Sequence, residues 1–238
     1  MKRYLPLLII LVVALITAGA ATLLYRSKMG APPAPTTSAP ASASASASVS
    51  GSASPTSIPP QPDDELAHVR GPANAPVTIE IYGDFQCPAC GIATKNLDEV
   101  AKDYDGKIRM IFHEFPLAMH AHAVEAAMAA EAAGVQGQFW PMHDMLYQYQ
   151  SIWSKSTNPA RFFVTYAQSL GMNPDQFESD QHSDVLKGRI MTQGDAGVKR
   201  GVKNTPTIFI NGVQFRGEFS KEVFKSAIDA ALAAKGKS

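Results

Sequence analysis

The stretch GDFQCPAC, from Gly83 to Cys90, contains both cysteines of the chain, with only Pro88 and Ala89 between them. The preceding segment, residues 76–82, is rich in β-branched residues and predicts a strand, and the following segment has helical periodicity. Paired cysteines can form a structural clip, half of a metal site or a redox centre. A Cys-x-x-Cys pair at the junction of a strand and a helix favours the redox centre.

Pro88 suits the first position of a helix, where its missing N–H would be unpaired in any case. Cys87 would then lie at the helix N-terminus, where free N–H groups and the helix dipole stabilise negative charge. A lowered pKa would give Cys87 more of the nucleophilic thiolate at neutral pH. Cys90 would follow one turn later, facing the core, where it could attack a mixed disulfide formed at Cys87.

A structural clip and a metal site fit these residues less well. A disulfide across so small a loop removes little entropy from the unfolded chain, so it would be a poor staple. A zinc site needs about four ligands, and His120 and His122 lack the spacing that places two side chains on one helix face. His113 and His143 are more typical of surface or core positions. The sequence therefore predicts no metal site.

The composition narrows the class of protein. The chain of 238 residues has 21 basic and 21 acidic side chains and a formal net charge of zero. This balance argues against a nucleic-acid partner, which normally requires a basic excess. Two cysteines are too few to staple a chain of this length, which excludes a small disulfide-rich scaffold.

Residues 1–28 begin with Lys2 and Arg3 and continue into an uncharged, mostly apolar run from Leu5 to Tyr25. A helix of this length, rising about 1.5 Å per residue, can cross a hydrocarbon layer about 30 Å thick. The same residues could form a cleaved signal peptide, with Ala18–Ala20 as the cleavage site. Because the apolar run continues beyond that site, we favour an uncleaved transmembrane anchor. Both alternatives predict an exported domain.

Residues 29–62 consist mainly of Pro, Ala, Ser and Thr and contain no charged side chain. Such a segment cannot bury enough apolar surface to offset its chain entropy, so we expect a disordered linker. The linker could give the domain a defined reach from the membrane, or it could be a spacer of no specific length. The folded domain is expected from residue 63 to residue 238.

The folded domain is predicted to have the element order β-α-β, a helical block, and β-β-α. Residues 107–115 form the second predicted strand, so the first two strands should be parallel and joined by a right-handed crossover. The segment TPTIFI predicts a later strand, and Asn211-Gly212 after it predicts a hairpin turn.

The helical block lies between these two groups of strands, from about residue 118 to residue 200. Gly134 is predicted to cap the end of its first helix. Asn158 and Asn173 each precede a proline and are predicted to be N-caps of later helices.

With these elements the chain resembles the DsbA-like thiol–disulfide oxidoreductases of the thioredoxin superfamily and their membrane-tethered relatives. The resemblance rests on Cys-Pro-x-Cys after a strand and on the segments HEFPL, EAAGVQGQFWPMHDMLY and GVKNTPTIFINGVQFRG, and it covers essentially all of residues 63–238. It implies an α/β thioredoxin fold (β-α-β … β-β-α) with an inserted helical domain. It also implies that Cys87 and Cys90 exchange disulfides with a substrate, supported by Pro88 and Ala89.

The resemblance assigns roles to three further positions. Pro206 corresponds to the cis-proline that faces the active site, and Thr205 to the residue whose backbone binds polypeptide. Ala89 occupies the position at which the best-known member has histidine. Because that histidine is missing as a partner for the Cys87 thiolate, we expect a milder oxidant than that member.

A proton relay to the second cysteine is less easily assigned. Many relatives carry an acidic residue six positions before the first cysteine, but Ile81 stands there in this chain. Asp84 and Glu80 are the candidate relays. Glu80 is one residue away from the expected position, and in a strand its side chain should point to the opposite face.

The resemblance also implies partners and a location. It implies that exported polypeptides with free thiols are oxidised outside the cytoplasm, in the periplasm or at the cell surface, without a bound cofactor. A membrane-bound, quinone-linked thiol oxidase would then reoxidise the protein. We expect a monomer, because the sequence has no separate dimerisation segment. A reductase or isomerase of the same fold remains an alternative, as does a non-catalytic chaperone or binding module.

Overall fold

The computed structural model describes residues 67–236. The predicted anchor at residues 1–28 and the predicted linker at residues 29–62 therefore lie outside the described part of the chain. No helix between residues 67 and 236 has the length and hydropathy needed to span a membrane.

A five-stranded mixed sheet forms the centre of the described domain. Its strands are β1 (His68–Arg70), β2 (Val77–Gly83), β3 (Ile108–Glu114), β4 (Thr207–Ile210) and β5 (Val213–Gln214). Their order across the sheet is β1-β3-β2-β4-β5. Only the β2–β3 pair of this sheet is parallel, as predicted, and its register places Gly83 opposite Glu114. The short edge strand β1 was not predicted, because three residues cannot show a clear alternation of polar and apolar side chains.

The helices connect and cover this sheet. Helix α1 (Pro88–Ala101) joins β2 to β3. The insertion between β3 and β4 contains α2 (Ala123–Val135), α3 (Phe139–Gln148), α4 (Gln150–Trp153), α5 (Ala160–Ser169), α6 (Pro174–Asp180) and α7 (Asp184–Lys199), and α8 (Lys221–Lys235) closes the domain. The observed order is that of the predicted α/β thioredoxin fold with a helical insertion.

The two faces of the sheet carry different helices. Helices α1 and α8 pack together over the main core on one face. Helix α7 packs against β3 on the other face, over a small cluster that includes Tyr82 and Phe115. Gly197 allows this close approach, since a Cβ atom there would lie 2.9 Å from both rings. The active-site loop after β2 thus lies between the main core and the insertion.

Two predicted helix ends are wrong. Helix α2 continues through Gly134 to Val135, and Gly137, with a φ of 72°, takes the left-handed conformation after it. A Cβ atom on Gly134 would lie 3.0 Å from the His68 ring, so this glycine serves packing instead. Helix α5 begins one residue late, with Pro159 as its N-cap in place of Asn158.

Two other sequence predictions are confirmed. Asn173 is the N-cap of α6, and its side-chain oxygen accepts a hydrogen bond from the Gln176 N–H at 3.1 Å. The β4–β5 turn has φ values of 48° at Asn211 and 79° at Gly212. Two consecutive positive φ angles are the reason for the Asn-Gly preference in tight hairpins.

Candidate active site

Cys87 and Cys90 lie at the start of α1. Cys87 is the N-cap residue, with a φ of −71° and a ψ of 119°, and Pro88 takes the first helical position. The Cys87 carbonyl oxygen accepts a hydrogen bond from the Gly91 N–H at 3.3 Å. Cys87 is 7% exposed and Cys90 is 1% exposed, and both are free thiols. The junction of strand and helix therefore leaves Cys87 closer to solvent than Cys90.

The Cys87 thiol is strongly acidic. Its pKa falls from an ordinary value of 9.0 to about 5, chiefly because the Cys90 side chain hydrogen-bonds to it. Burial opposes the fall, whereas the Thr205 side chain and the backbone groups of Cys90 and Ala89 add to it. Cys87 is therefore a thiolate at neutral pH, which is the nucleophilic form of cysteine.

The Cys90 thiol has the opposite character. Burial raises the pKa of Cys90, and the hydrogen bond to Cys87 and the charge of Cys87 raise it further. A backbone hydrogen bond with Asp84 opposes this rise only in part. The pair thus consists of a reactive thiolate and a buried, protonated thiol.

The residues predicted to support the cysteines lie around Cys87. The Thr205–Pro206 peptide bond is cis. The Cys87 Sγ atom lies 3.4 Å from the Thr205 carbonyl oxygen, and only the protonated form of Cys87 can donate a hydrogen bond across this contact. Pro88 is exposed and Ala89 is half-buried. The fold therefore brings together two segments that are 118 residues apart in the sequence.

Asp84, one of the two candidate relays, shapes the active-site loop. Its buried carboxylate accepts hydrogen bonds from the backbone N–H groups of Gln86 at 2.7 Å and Leu117 at 2.8 Å. A carboxylate oxygen also lies 2.8 Å from Nδ1 of His120. Asp84 interacts with Cys90 through a backbone group. Its carboxylate is thus occupied by three partners that order the loop.

Glu80, the other candidate relay, lies on the opposite face of the sheet from the main core. Its carboxylate forms a buried ion pair with Arg200, with one contact of 3.0 Å between Oε1 and Nη2. The Arg200 guanidinium also lies over the Phe209 ring, 4.2 Å from its centroid. The structure therefore does not bring Glu80 to the cysteines, because alternation along β2 points it away from them.

Two glutamines that the sequence analysis did not assign a structural role hold the loop in place. The Gln150 side-chain amide donates hydrogen bonds to the carbonyl oxygens of Phe85 at 2.7 Å and Cys87 at 2.9 Å. The Gln86 side chain accepts from the His122 N–H at 2.6 Å and donates to the Ser154 carbonyl oxygen at 3.3 Å. All three partners outside the loop belong to the helical insertion, so no local sequence pattern could have indicated them.

Glu114 and Tyr147 lie near the end of β2, and the sequence predicted neither position; a Cβ atom on Gly83 would lie 3.1 Å from the Tyr147 hydroxyl. Glu114 is 1% exposed at the end of β3, and neither carboxylate oxygen has a hydrogen-bond partner among residues 67–236. Burial raises the pKa of Glu114, and the nearby Glu131 and Asp84 carboxylates raise it further. Both predicted acids, Glu80 and Asp84, lie in β2 or the loop that follows it. The parallel register with β3 could have indicated Glu114, since it lies level with Gly83.

The described residues show no cluster of three metal-ligating side chains. His122 lies 3.3 Å from a Glu125 carboxylate oxygen, and the buried His143 lies 2.8 Å from Asp144. His113 stacks on Tyr82 with ring centroids 4.5 Å apart. These histidines thus contact different neighbours within the described part of the chain.

Solved structures of known proteins share this fold. BdbD from Bacillus subtilis superposes with a TM-score of 0.63 at 22% identity, covering 71% of this chain and 94% of that one. The alpha-DsbA1 protein of Wolbachia pipientis gives a TM-score of 0.64 at 19% identity, covering 74% of this chain and 98% of that one. At these identities the comparison supports the fold alone. It confirms the predicted thioredoxin fold with an inserted helical region.

Sequence comparison gives both a family and a group of longer relatives. The Na(+)/H(+) antiporter NhaA 3 of Salinispora tropica is 38% identical over 177 residues, which are 74% of this chain and 26% of that protein. This chain thus spans about a quarter of the length of the curated relatives it matches. The family model described as Thioredoxin matches residues 63–230. The chain therefore belongs to the thioredoxin family.

Proposed function

We propose that this protein is a thiol–disulfide oxidoreductase that introduces disulfides into exported polypeptides through Cys87 and Cys90. The observation that carries the proposal is the asymmetry of the pair. Cys87 has a pKa of about 5 and lies beside the Thr205 carbonyl oxygen, whereas Cys90 is buried and protonated. A low-pKa thiolate at a helix N-terminus beside a second thiol is the arrangement that disulfide exchange requires.

The oxidation of a substrate follows two exchange steps. A substrate thiolate attacks Cys87 Sγ, the Cys87–Cys90 bond breaks, and Cys90 leaves with the electron pair. A second substrate thiolate then attacks the substrate sulfur of the mixed disulfide, and Cys87 leaves as a thiolate. Two electrons pass from the substrate to the cysteine pair. The low pKa of Cys87 favours the second step, because a more acidic thiol is a better leaving group.

The acidity of Cys87 also supports the oxidising direction. A stabilised thiolate favours the reduced protein, and a protein whose reduced form is stabilised is the stronger oxidant. Ala89 supplies only backbone stabilisation to Cys87. We therefore expect a potential between that of thioredoxin, about −270 mV, and that of DsbA, about −120 mV. Equilibration with glutathione measures this value, and a potential at or below that of thioredoxin would contradict an oxidase.

The proposal includes a location and a redox partner. Residues 1–28 would anchor the domain outside the cytoplasm, in the periplasm or at the cell surface. A membrane-bound, quinone-linked thiol oxidase would take up the electrons, so that the domain itself needs no bound cofactor and acts as a monomer. The antiporter names belong to relatives of which this chain matches about a quarter, and transport is not part of the proposal.

Two cysteine variants and a measurement of redox state test the function. Cys90→Ala should accumulate mixed disulfides with exported polypeptides at Cys87, and Cys87→Ser should form none. Thiol trapping in cells should find the wild-type pair mainly oxidised. A mainly reduced pair would instead indicate a reductase or isomerase. Full biological activity of Cys87→Ser would indicate a non-catalytic binding module.

A further inference from the structure

A short segment after β3, which we call the 117–122 loop, is hydrogen-bonded to the active-site loop. Its Leu117 N–H donates to the Asp84 carboxylate at 2.8 Å, and its His122 N–H donates to the Gln86 side chain at 2.6 Å. Asp84 and Gln86 belong to the active-site loop after β2. The start of the helical insertion is therefore tied to the segment that carries the reactive cysteine.

The His120 side chain completes the set of donors around Asp84. Its Nδ1 atom lies 2.8 Å from a carboxylate oxygen of Asp84, whose side chain is fully buried. Because an ionised carboxylate can only accept hydrogen bonds, the Nδ1 atom carries the hydrogen. Within residues 67–236, no other side chain hydrogen-bonds to the Asp84 carboxylate. The His120 side chain is 20% exposed, so the pair extends from the core to the surface.

Asp84 is the residue through which this contact reaches the cysteines. Its carbonyl oxygen accepts the Cys87 N–H at 3.1 Å, and its carboxylate accepts the Gln86 N–H at 2.7 Å. A backbone group of Asp84 also hydrogen-bonds to the Cys90 thiol. Asp84 is thus bonded to both cysteines. Its displacement would disturb the hydrogen bond from Cys90, which is the largest contribution to the acidity of Cys87.

The other titratable groups near Asp84 give it no hydrogen bond. The Asp84 charge acts on Glu114, at the end of β3, and on Tyr147, in α3. Neither the Glu114 carboxyl nor the Tyr147 hydroxyl has a hydrogen-bond partner in the described part of the chain. Without His120 the Asp84 carboxylate would keep only its backbone donors. Since a buried charge short of donors is costly, the carboxylate would turn toward water and release the N–H groups that it holds.

We propose that His120 is a positioning residue of the active site, which holds the Asp84 carboxylate in place and so fixes the geometry of Cys87 and Cys90. Its functional consequence rests on the proposed disulfide exchange. In the reduced protein a well-placed Cys90 thiol donates to the Cys87 thiolate, whereas the oxidised protein has no thiolate to stabilise. His120 therefore stabilises the reduced form more than the oxidised form, which makes the protein a stronger oxidant.

Four variants of the full-length protein separate this role from packing. His120→Ala removes the donor, His120→Asn restores an amide donor close to the position of Nδ1, and His120→Gln carries its amide to the position of Nε2. The control is His122→Ala, in the same loop. The His122 ring lies 3.3 Å from Glu125, and the N–H that contacts Gln86 belongs to the backbone and is kept.

Three measurements are made on each variant. Equilibration with glutathione gives the reduction potential, and the pH dependence of alkylation of the reduced protein gives the pKa of Cys87. Chemical denaturation gives the stability of the oxidised and reduced forms. A side chain that only packs would change both forms equally and leave the potential where it was, whereas a positioning residue changes the reduced form more.

We expect His120→Ala to raise the pKa of Cys87 by about one unit, which is about a tenfold loss of thiolate relative to thiol. The equilibrium with glutathione should shift about tenfold toward the oxidised protein, which corresponds to about 30 mV. His120→Asn and His122→Ala should match the wild type, and His120→Gln should match His120→Ala. In an Asp84→Asn background, His120→Ala should cause no further change, because the two residues act as a unit. If His120→Ala does not fold, the comparison of His120→Asn with His120→Gln decides the question.

Three outcomes would overturn the inference. An unchanged Cys87 pKa and potential in His120→Ala would limit the contact to stability. Additive effects of His120→Ala and Asp84→Asn would show that His120 does not act through Asp84, and a His120→Asn protein that behaves like His120→Ala would exclude the donor role. A wild-type pair that does not exchange with glutathione would contradict the proposed function instead. The alkylation pKa would still decide the role of His120 in that case, because it needs no disulfide exchange.

Discussion

The side-chain amide of Gln150 donates to the carbonyl oxygen of Cys87 at 2.9 Å and so ties the active-site loop to the helical insertion. The same amide donates to Phe85 at 2.7 Å. A Cβ atom on Gly91 would lie 3.1 Å from the Gln150 oxygen, so the first turn of α1 leaves room for this side chain. The insertion therefore holds the loop at the start of α1, where the backbone groups of Cys90 and Ala89 add to the acidity that the Cys90 side chain gives to Cys87.

Replacing Gln150 by alanine should loosen this contact. The Phe85 carbonyl would lose the Gln150 donor, and unsatisfied groups of this kind cost about 1–3 kcal/mol. We also expect the pKa of Cys87 to rise from about 5, because the Cys90 side chain and the backbone groups of Cys90 and Ala89 that lower it would be held less firmly against Cys87. Chemical denaturation measures the first effect, and the pH dependence of Cys87 alkylation measures the second. Gln148→Ala, an exposed position in α3, should change neither quantity. A normal Cys87 pKa in Gln150→Ala would limit its role to stability.

The acidity of Cys87 should make the stability of the reduced protein depend on pH. The folded-state pKa is about 5 and the ordinary value is 9.0, so between these values the unfolded chain binds one more proton. The free energy of unfolding should then rise by about 1.4 kcal/mol per pH unit across this range. The contribution is fully present above pH 9.0 and is lost as the pH falls through about 5.

Denaturation of reduced wild-type protein and of Cys87→Ser over a pH series checks this dependence. The difference in the free energy of unfolding between the two proteins should grow as the pH rises from about 5 to 9.0, and it should be small at acid pH. Equal slopes for both proteins would mean that Cys87 ionises normally in the folded state. The wild type must be kept reduced during the measurement, since the disulfide form has no thiolate to titrate.

Sequence reasoning could predict the elements that depend on local patterns. The β2–α1–β3 unit follows from the β-branched residues of the first strand, from Pro88 and from helical periodicity, and the Asn211-Gly212 turn follows from its need for positive φ angles. It could not predict β1, which is held by pairing with β3 and has only three residues. The helix end near Gly134 was misassigned because the contact with His68 comes from a distant segment.

The same limit applies to the site. Cys87 and Cys90 are only three positions apart in the sequence, and their asymmetry follows from one turn of helix. Gln150 reaches Cys87 only after the insertion packs against the sheet, so its role depends on tertiary contacts. Glu80, by contrast, could be judged from alternation alone, and its pairing with Arg200 agrees with that judgement.

Breaking the Glu80–Arg200 pair should affect stability but not disulfide exchange. Arg200→Met would leave the buried Glu80 carboxylate without its cation, a change that costs about 3–5 kcal/mol in comparable buried pairs. Because the pair lies on the α7 side of the sheet, the rate of reduction by dithiothreitol under native conditions should stay at the wild-type value. Chemical denaturation tests the expected loss of stability, and reduction kinetics test the expected wild-type exchange rate. A slowed exchange in folded Arg200→Met would reopen a role for Glu80 in the site.

The docking of the edge strand β1 should depend on Gly71, which directly follows it. Gly71 has a φ of 98°, and a Cβ atom there would lie 2.3 Å from the Ile108 carbonyl oxygen, at the start of β3. Gly106 is a matched control, because it also has a positive φ, 68°, but open space around its Cβ position. Alanine at either site is strained by about 1–2 kcal/mol in the backbone.

Gly71→Ala should therefore be less stable than Gly106→Ala, by about 1–3 kcal/mol for the added clash with rigid backbone. The clash should push β1 away from β3, which would weaken the contact between His68 and Glu131. Hydrogen exchange of the β1 amides in the two variants separates this local effect from a global loss of stability. Equal stability and equal protection in both variants would show that β1 can shift without cost, and that its pairing with β3 contributes little to the fold.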